Sequence, residues 1–369
     1  MTPKKRILLG MSGGVDSSIA ALLLQKQGYK VIGAFIKSFS DTKNKLTGEC
    51  AWIEERKSAQ KIAAILNIKL ITLDYENEYK KHVINPLFTD YRKGLTPNPD
   101  ILCNTIIKFP FLWKVAQENG AEGIATGHYA RIKKTSHGFQ LWQGIDKKKD
   151  QSYFLADLAQ KDLRHTLFPL NSLTKEKVRA IAKKNKFPNW DKESTRGICF
   201  VGKQNMQKFL KQRIAEKQGV VKDSEGKVLG THRGIFFYTI GQKVREHIGI
   251  SIKKPKGMES RRLYIVSKKI KENELIVAPE NHPAMLTKTV ILSKFHQINK
   301  KEQILSRLKA RIRHLGTLHT GILTRHGSKY NFIFTKPQKA VAPGQKLVLY
   351  RGAQLVASGE IKSTMRTPS

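Results

Sequence analysis

At 369 residues the chain is long enough for two or three domains, and a hydrophobic content of 40% with four Trp supplies real cores. Lysine and arginine outnumber aspartate and glutamate 68 to 29, a formal charge of +39 that points to a polyanionic partner, nucleic acid foremost, although a lysine-rich bias on every solvated face accounts for part of it. No run approaches the roughly 18–20 apolar residues of a membrane span, no leader is expected ahead of the first strand, and three cysteines are too few for a disulfide framework. A reducing, cytoplasmic setting is therefore expected.

In chain order, the apolar run 6–9 reads as a strand and 15–27 as a helix with Ile19, Leu22 and Leu23 on one face, stopped by Gly28. Between them lies the turn Gly10, Met11, Ser12, Gly13, Gly14, Val15, Asp16 and Ser17. A strand that breaks into glycines and then a helix is suited to an anion, because backbone N–H groups and the helix N-terminus both favour negative charge. No G-x-x-x-x-G-K-[ST] occurs. The S-G-G-x-D-S sequence instead resembles the pyrophosphate loop of ATP pyrophosphatases, which cut ATP between its α and β phosphates.

Strands at 29–36, 69–73 and 123–126 alternate with helices at 52–67, 78–88 and 105–119, which predicts a doubly wound parallel sheet with ligands beyond the carboxyl ends of its strands. A short strand at 139–144 precedes the basic run Lys147 to Lys149, and 174–184 reads as a helix capped by Thr174. The glycine-containing stretch 219–241 suggests a small β-rich module. From about 285 onward short strands recur, with turns such as Pro343-Gly344, as in a small barrel. The expected division is a catalytic α/β domain over 1–205, a small β-rich central domain over 206–280 and a C-terminal β-barrel over 281–369.

Three stretches could carry chemistry. Asn98, Pro99 and Asp100 stand just before a predicted helix together with Cys103. A thiol at a helix N-terminus is acidified by the dipole, whereas Asp100 opposes the thiolate; a buried structural cysteine with Asp100 as a cap fits the same residues. Cys199 lies near Arg196, which could lower its pKa, though a small buried hydrophobe fits equally well. Cys50 has no cationic neighbour in sequence and reads as structural. The cysteine spacings match no C-x₂-C metal pattern, so no resident metal is expected.

The segments 10–17, Asn98-Pro-Asp-Ile-Leu-Cys-Asn104, Ala125-Thr-Gly-His-Tyr129, Lys149-Asp-Gln-Ser-Tyr-Phe154, Gly197-Ile-Cys-Phe200 and Tyr238-Thr-Ile-Gly-Gln242 occur in this order. Together, and over nearly the whole chain, they resemble the bacterial tRNA-specific 2-thiouridylases. The resemblance implies ATP-dependent thiolation of the wobble uridine in tRNAs for Lys, Glu and Gln. It assigns catalytic roles to Cys103, Cys199 and Asp100, with a persulfide on Cys199 and a Cys103–Cys199 disulfide at the end of the cycle. It assigns ATP, with Mg2+, to residues 10–17, Ile36 and Gly127. The anticodon stem-loop is assigned to Asn98, Pro99, Asp100, His128, Lys149, Asp150, Gln151, Arg311, Ile312 and Gln345. A persulfide-carrying donor protein is a further implied partner. This sequence departs from the family pattern at Ile36, at Glu55 and Ser58, at Ile312, and over Lys243-Val-Arg-Glu-His247. A pyrophosphate-loop amidotransferase and an RNA-binding module with a vestigial nucleotide site are the rival readings. Pyrophosphate release, and the acceptor it depends on, separates all three.

Overall fold

The computed structural model describes residues 5–40, 50–193, 206–253 and 260–366. Cys199, and with it the sequence reading of 194–205, lies outside the described residues.

The first module is a parallel sheet of five strands in the order Lys69–Asp74, Lys30–Lys37, Arg6–Gly10, Gly123–Thr126 and Thr166–Leu167. The central strand Arg6–Gly10 is apolar on both faces because helices cover both, as parallel sheets require. On one face Ile19, Ala20 and Leu24 of helix Val15–Lys26 pack with Leu9, Val31 and Ile62; on the other, Leu112 and Ala116 pack with Leu8 and Ile124. Chain order reverses on either side of this central strand, and its carboxyl end is where such sheets hold ligands.

Several elements differ from the sequence expectation. The helix expected at 105–119 begins at Pro99 and runs through a widened π turn, Cys103–Lys108, into Phe109–Glu118. Asn98 caps it, its side chain accepting the Ile101 N–H at 3.2 Å. Cys103 therefore sits inside a helix, not at its start, because the asparagine-proline pair starts the helix six residues earlier than the apolar pattern suggests. The helix expected at 78–88 likewise extends from Glu76 to Arg92 with a π turn at Lys80–Ile84. The hairpin Ala130–Thr135 and Gly138–Gln143 carries a strand the alternating pattern did not reveal.

The central module is a mixed sheet of Ile250–Ile252, Val228–His232, Gly219–Lys222, Glu274–Pro279 and Leu263–Lys269. Its Phe237, Tyr238 and Leu263 share one apolar cluster with Tyr79, Phe88 and Cys103, so this module covers the helices that carry the thiol. The C-terminal strands Leu286–Gln297, Lys329–Lys339, His319–His326, Arg307–Arg311, Lys346–Arg351 and Gln354–Met365 close into a barrel through pairing of the first with the last. The hairpin at 130–143 adds to that barrel, Leu141 opposite Leu355, and fastens it to the parallel sheet. Among the described residues no helix is long and apolar enough to cross a membrane.

Candidate nucleotide and thiol site

The glycine turn is held by polar contacts on every side. Gly13 has φ +73°, and a Cβ there would lie 2.1 Å from the Glu55 carbonyl oxygen, so only glycine fits. The Gly13 carbonyl accepts from Ser58 Oγ at 2.8 Å, Asn189 Nδ2 at 3.1 Å and Lys192 Nζ at 3.4 Å. Ser17 Oγ donates to the Gly14 carbonyl and lies 3.3 Å from the Ser12 N–H. With its carbonyl turned into protein, the loop is free to present N–H groups to an anion. Ser58 thus has a structural task, and burial pushes the neighbouring Glu55 carboxyl up, opposed by Lys192.

Gly127 follows the neighbouring strand Gly123–Thr126 and would, with a Cβ, come within 2.8 Å of the Ser17 N–H nitrogen. Its lack of a side chain lets that strand end meet the start of the loop helix. Ile36 lies partly buried near the end of the strand on the other side. The parallel register sets Gly10 opposite both Ala34 and Thr126, so 10–17, Ile36 and Gly127 gather at one edge of the sheet.

Asp16 is engaged by groups the sequence reading passed over. Both its carboxylate oxygens lie 2.6 and 2.8 Å from Lys175 Nζ, and the Tyr129 hydroxyl donates to one of them at 2.7 Å. Burial lowers the Lys175 pKa while Asp16 raises it. Lys175 is the first residue of helix Lys175–Lys184, whose cap at Thr174 was legible, but nothing in one-dimensional spacing ties residue 175 to residue 16.

On the thiol side, Cys103 is buried in the apolar cluster shared with the central module. Burial pushes its pKa up, Lys108 and a hydrogen bond with Tyr79 pull it down, and Asp100 adds to the rise. Of the two readings the sequence left open, the buried cysteine is the one these surroundings match: Cys103 lies past the first turn, where the dipole has faded and burial raises its pKa. Cys50, the N-cap of helix Ala51–Ile65, donates its thiol hydrogen to the Ser40 carbonyl at 2.8 Å.

The stretches assigned to RNA divide into surface and interior. Lys149 and Gln151 are partly exposed. Asp150 is buried, accepting the Gly144 and Ser152 N–H groups at 3.1 Å each and pairing with buried Arg311 at 2.8 Å. His128 Nδ1 lies 2.8 Å from Thr126 Oγ1, and its ring stacks on Phe109. Burial, then Lys108, holds its pKa well below the usual value. Tyr153, which the sequence reading quoted without a role, collects three of the distant stretches. Its hydroxyl donates to the Ile312 and Lys346 carbonyls at 3.0 and 2.9 Å and lies in hydrogen-bond contact with the Asn98 side chain. The barrel turn before Gln345 reaches the same place, the Thr96 N–H donating to the Pro343 carbonyl at 2.9 Å. Gln345 Oε1 is buried without a partner among the described residues, an acceptor of the kind that calls for a donor from outside the chain.

Family models match the chain in succession. Residues 5–203 match the tRNA methyl transferase HUP domain, 207–279 the tRNA methyl transferase PRC-barrel domain, and 287–361 the aminomethyltransferase beta-barrel domain. The chain is 39% identical to the tRNA-specific 2-thiouridylase MnmA of Pseudomonas fluorescens over 98% of its own length and 95% of that relative. It is 38% identical to the protein of the same name from Pseudomonas aeruginosa, over 98% and 96%. Among solved structures, the NMN synthetase of Francisella tularensis overlaps 52% of this chain and 67% of its own at 18% identity and a TM-score of 0.34. A 4-thiouridine synthetase–RNA complex with bound ATP overlaps 56% and 50% at 17% identity and a TM-score of 0.35. Neither overlap is close enough to bear on function.

Proposed function

The chain belongs to the tRNA-specific 2-thiouridylase family, and from that premise we propose that it replaces oxygen with sulfur at carbon 2 of the wobble uridine in tRNAs for Lys, Glu and Gln. The observation that carries the reading is one edge of the parallel sheet. There the glycine loop, suited to a pyrophosphate group, meets Ile36 and Gly127 at the carboxyl ends of neighbouring parallel strands.

In this reading ATP lies along residues 10–17, with Ile36 and Gly127 flanking the adenosine, and Mg2+ comes with its phosphates. Such an ion is held largely by the phosphates and water, since the one carboxylate of the loop, Asp16, is engaged by Lys175 and Tyr129. Oxygen 2 of uracil attacks the α-phosphorus, the bond to the β-phosphate oxygen breaks, and pyrophosphate leaves. The adenylated oxygen is now a good leaving group. The outer sulfur of a Cys199 persulfide attacks carbon 2 and AMP departs. The Cys103 thiolate then attacks Cys199 Sγ, so the persulfide bond breaks, the thiocarbonyl forms and a Cys103–Cys199 disulfide remains. A dithiol reductant restores both thiols, and a persulfide-carrying protein recharges Cys199. Asp100, next to Cys103 in the first turn, is the candidate to take and return protons.

Asn98 and Asp100 face the target base, with Pro99 buried beneath them as the first residue of their helix, and His128 offers a ring to it. Lys149 suits a phosphate and Gln151 a ribose or base edge, as unstacking a loop nucleotide requires. Asp150, Arg311 and Ile312 act from beneath by fixing that surface. A reducing cytoplasm is the compartment this cycle needs.

The test is mass spectrometry of nucleosides from unmodified tRNA incubated with the protein, ATP, magnesium and a persulfide donor. A 2-thiouridine peak that requires ATP is expected. Pyrophosphate release without that peak would assign the loop to another acceptor, and neither product would leave a binding protein.

A further inference from the structure

The glycine loop and the basic turn at 146–151 are joined by two short chains of hydrogen bonds. Along one, Lys175 Nζ grips Asp16, while the Lys175 backbone N–H donates to Asp146 Oδ2 at 2.9 Å. The other oxygen of Asp146 accepts the Lys148 N–H at 2.9 Å, and its carbonyl accepts the Lys149 N–H at 3.0 Å. Along the second, the Tyr129 hydroxyl holds Asp16, and the Tyr129 backbone exchanges bonds of 3.0 Å with Gln151 in both directions. Both chains start at one carboxylate in the loop and end on the turn that carries Lys149 and Gln151.

We propose that Asp146 is a positioning residue through which tRNA held at Lys149 and Gln151 strengthens nucleotide binding at the glycine loop. The inference rests on the reading of those two residues as tRNA contacts. Asp146 holds the first turn of helix Lys175–Lys184 together with Thr174, whose hydroxyl accepts the Lys177 N–H at 3.3 Å. A shift of the basic turn is therefore a shift of the residue that carries the ammonium. That ammonium is 9% exposed, so it has no aqueous alternative to Asp16 and moves with its helix. Lys149 opposes the Lys175 charge from the turn side. A phosphate on Lys149 neutralises that repulsion and leaves Lys175 fixed on Asp16 with the loop in one arrangement. Coupling of this kind is a free energy shared between two sites and works equally in both directions.

The experiment measures the affinity of the full-length protein for α,β-methylene ATP, which resists cleavage at the bond in question, with and without saturating unmodified tRNA. In the wild type tRNA is expected to tighten the analogue about 5–30-fold, and the analogue to tighten tRNA by the same factor. In Asp146→Ala each ligand alone should bind within about 3-fold of wild type while the ratio falls below about 2. Asp146→Asn keeps one acceptor oxygen, so it guards against a folding defect and should give an intermediate ratio. An unchanged ratio in both variants, or a wild-type ratio of one with both ligands bound, overturns the proposal. A wild type that binds neither ligand would defeat the functional reading instead.

Discussion

Around Gly13 nearly every neighbour is polar: Ser58, Asn189 and Lys192 converge on one carbonyl, and Lys175 and Tyr129 on the Asp16 carboxylate. Around Cys103 the neighbours are Tyr79, Ile107, Phe88 and the apolar side chains of the central module. The first environment stabilises charge and is complete before any ligand arrives. The second disfavours the thiolate that sulfur chemistry needs. The contrast teaches that the surroundings of the glycine loop are already arranged to favour charge, whereas those of Cys103 disfavour its thiolate.

The largest effects test whether Cys103 is chemistry or core. Cys103→Ser is nearly isosteric and should lower 2-thiouridine formation by about 10³-fold or more, while analogue and tRNA affinities stay within about 2-fold. Cys199→Ser should match it. Turnover that survives Cys103→Ser would reduce that thiol to one more member of its apolar cluster.

Two adjacent glycines sharpen the other side. Gly13→Ala meets both a positive φ and the Glu55 carbonyl, and should cost about 2–4 kcal/mol and abolish analogue binding. Gly14 has φ −86° and only Ser12 Oγ near its missing Cβ, at 3.4 Å, so Gly14→Ala should cost less than about 1 kcal/mol. Thermal unfolding and calorimetric titration read both. Equal penalties would mean that the loop is not built around the Gly13 turn.

A second pair separates support from contact. Arg311→Met strands the Asp150 carboxylate, which is 1% exposed, and should destabilise the protein by about 3 kcal/mol, with tRNA binding lost only as the fold is lost. Lys149→Met should leave unfolding within about 0.5 kcal/mol and weaken tRNA at every sequence, reducing the salt slope by about one. If Arg311→Met leaves stability intact and weakens tRNA, Arg311 acts at the surface.

The sequence reading reached the parallel sheet, the glycine turn and the barrel because each writes a local pattern: apolar runs of strand length, glycines at a strand end, turn residues at short intervals. It also placed the Thr174 cap correctly. It missed Lys175, Asn189 and Tyr153, whose roles come from partners between 55 and 193 residues away. No period or composition encodes such pairs. It misplaced Cys103 relative to its helix because a π turn breaks the 3.6-residue repeat, and it did not see that Asp150 and Arg311 neutralise each other. Charged residues in a basic chain read as surface until the fold buries them together.

The smallest expected effect follows from two displaced pKa values, those of Cys103 and His128. Burial raises the Cys103 pKa above the ordinary 9.0, so its contribution to stability is intact below that value and is lost as pH climbs through the raised one. Burial lowers the His128 pKa below 6.5, so its contribution is intact above 6.5 and is lost as pH falls through the lowered one. In urea unfolding across pH, each of these two groups should contribute a slope of at most about 1.4 kcal/mol per pH unit, Cys103 above about 9 and His128 below about 6.5. Cys103→Ser should flatten the alkaline limb alone and leave the acid limb in place. If saturating tRNA moves the onset of Cys103 alkylation by iodoacetamide to lower pH, substrate lowers the pKa that the apolar wall raised. An onset that does not move would mean that the surroundings of Cys103 are no more responsive than those of the loop.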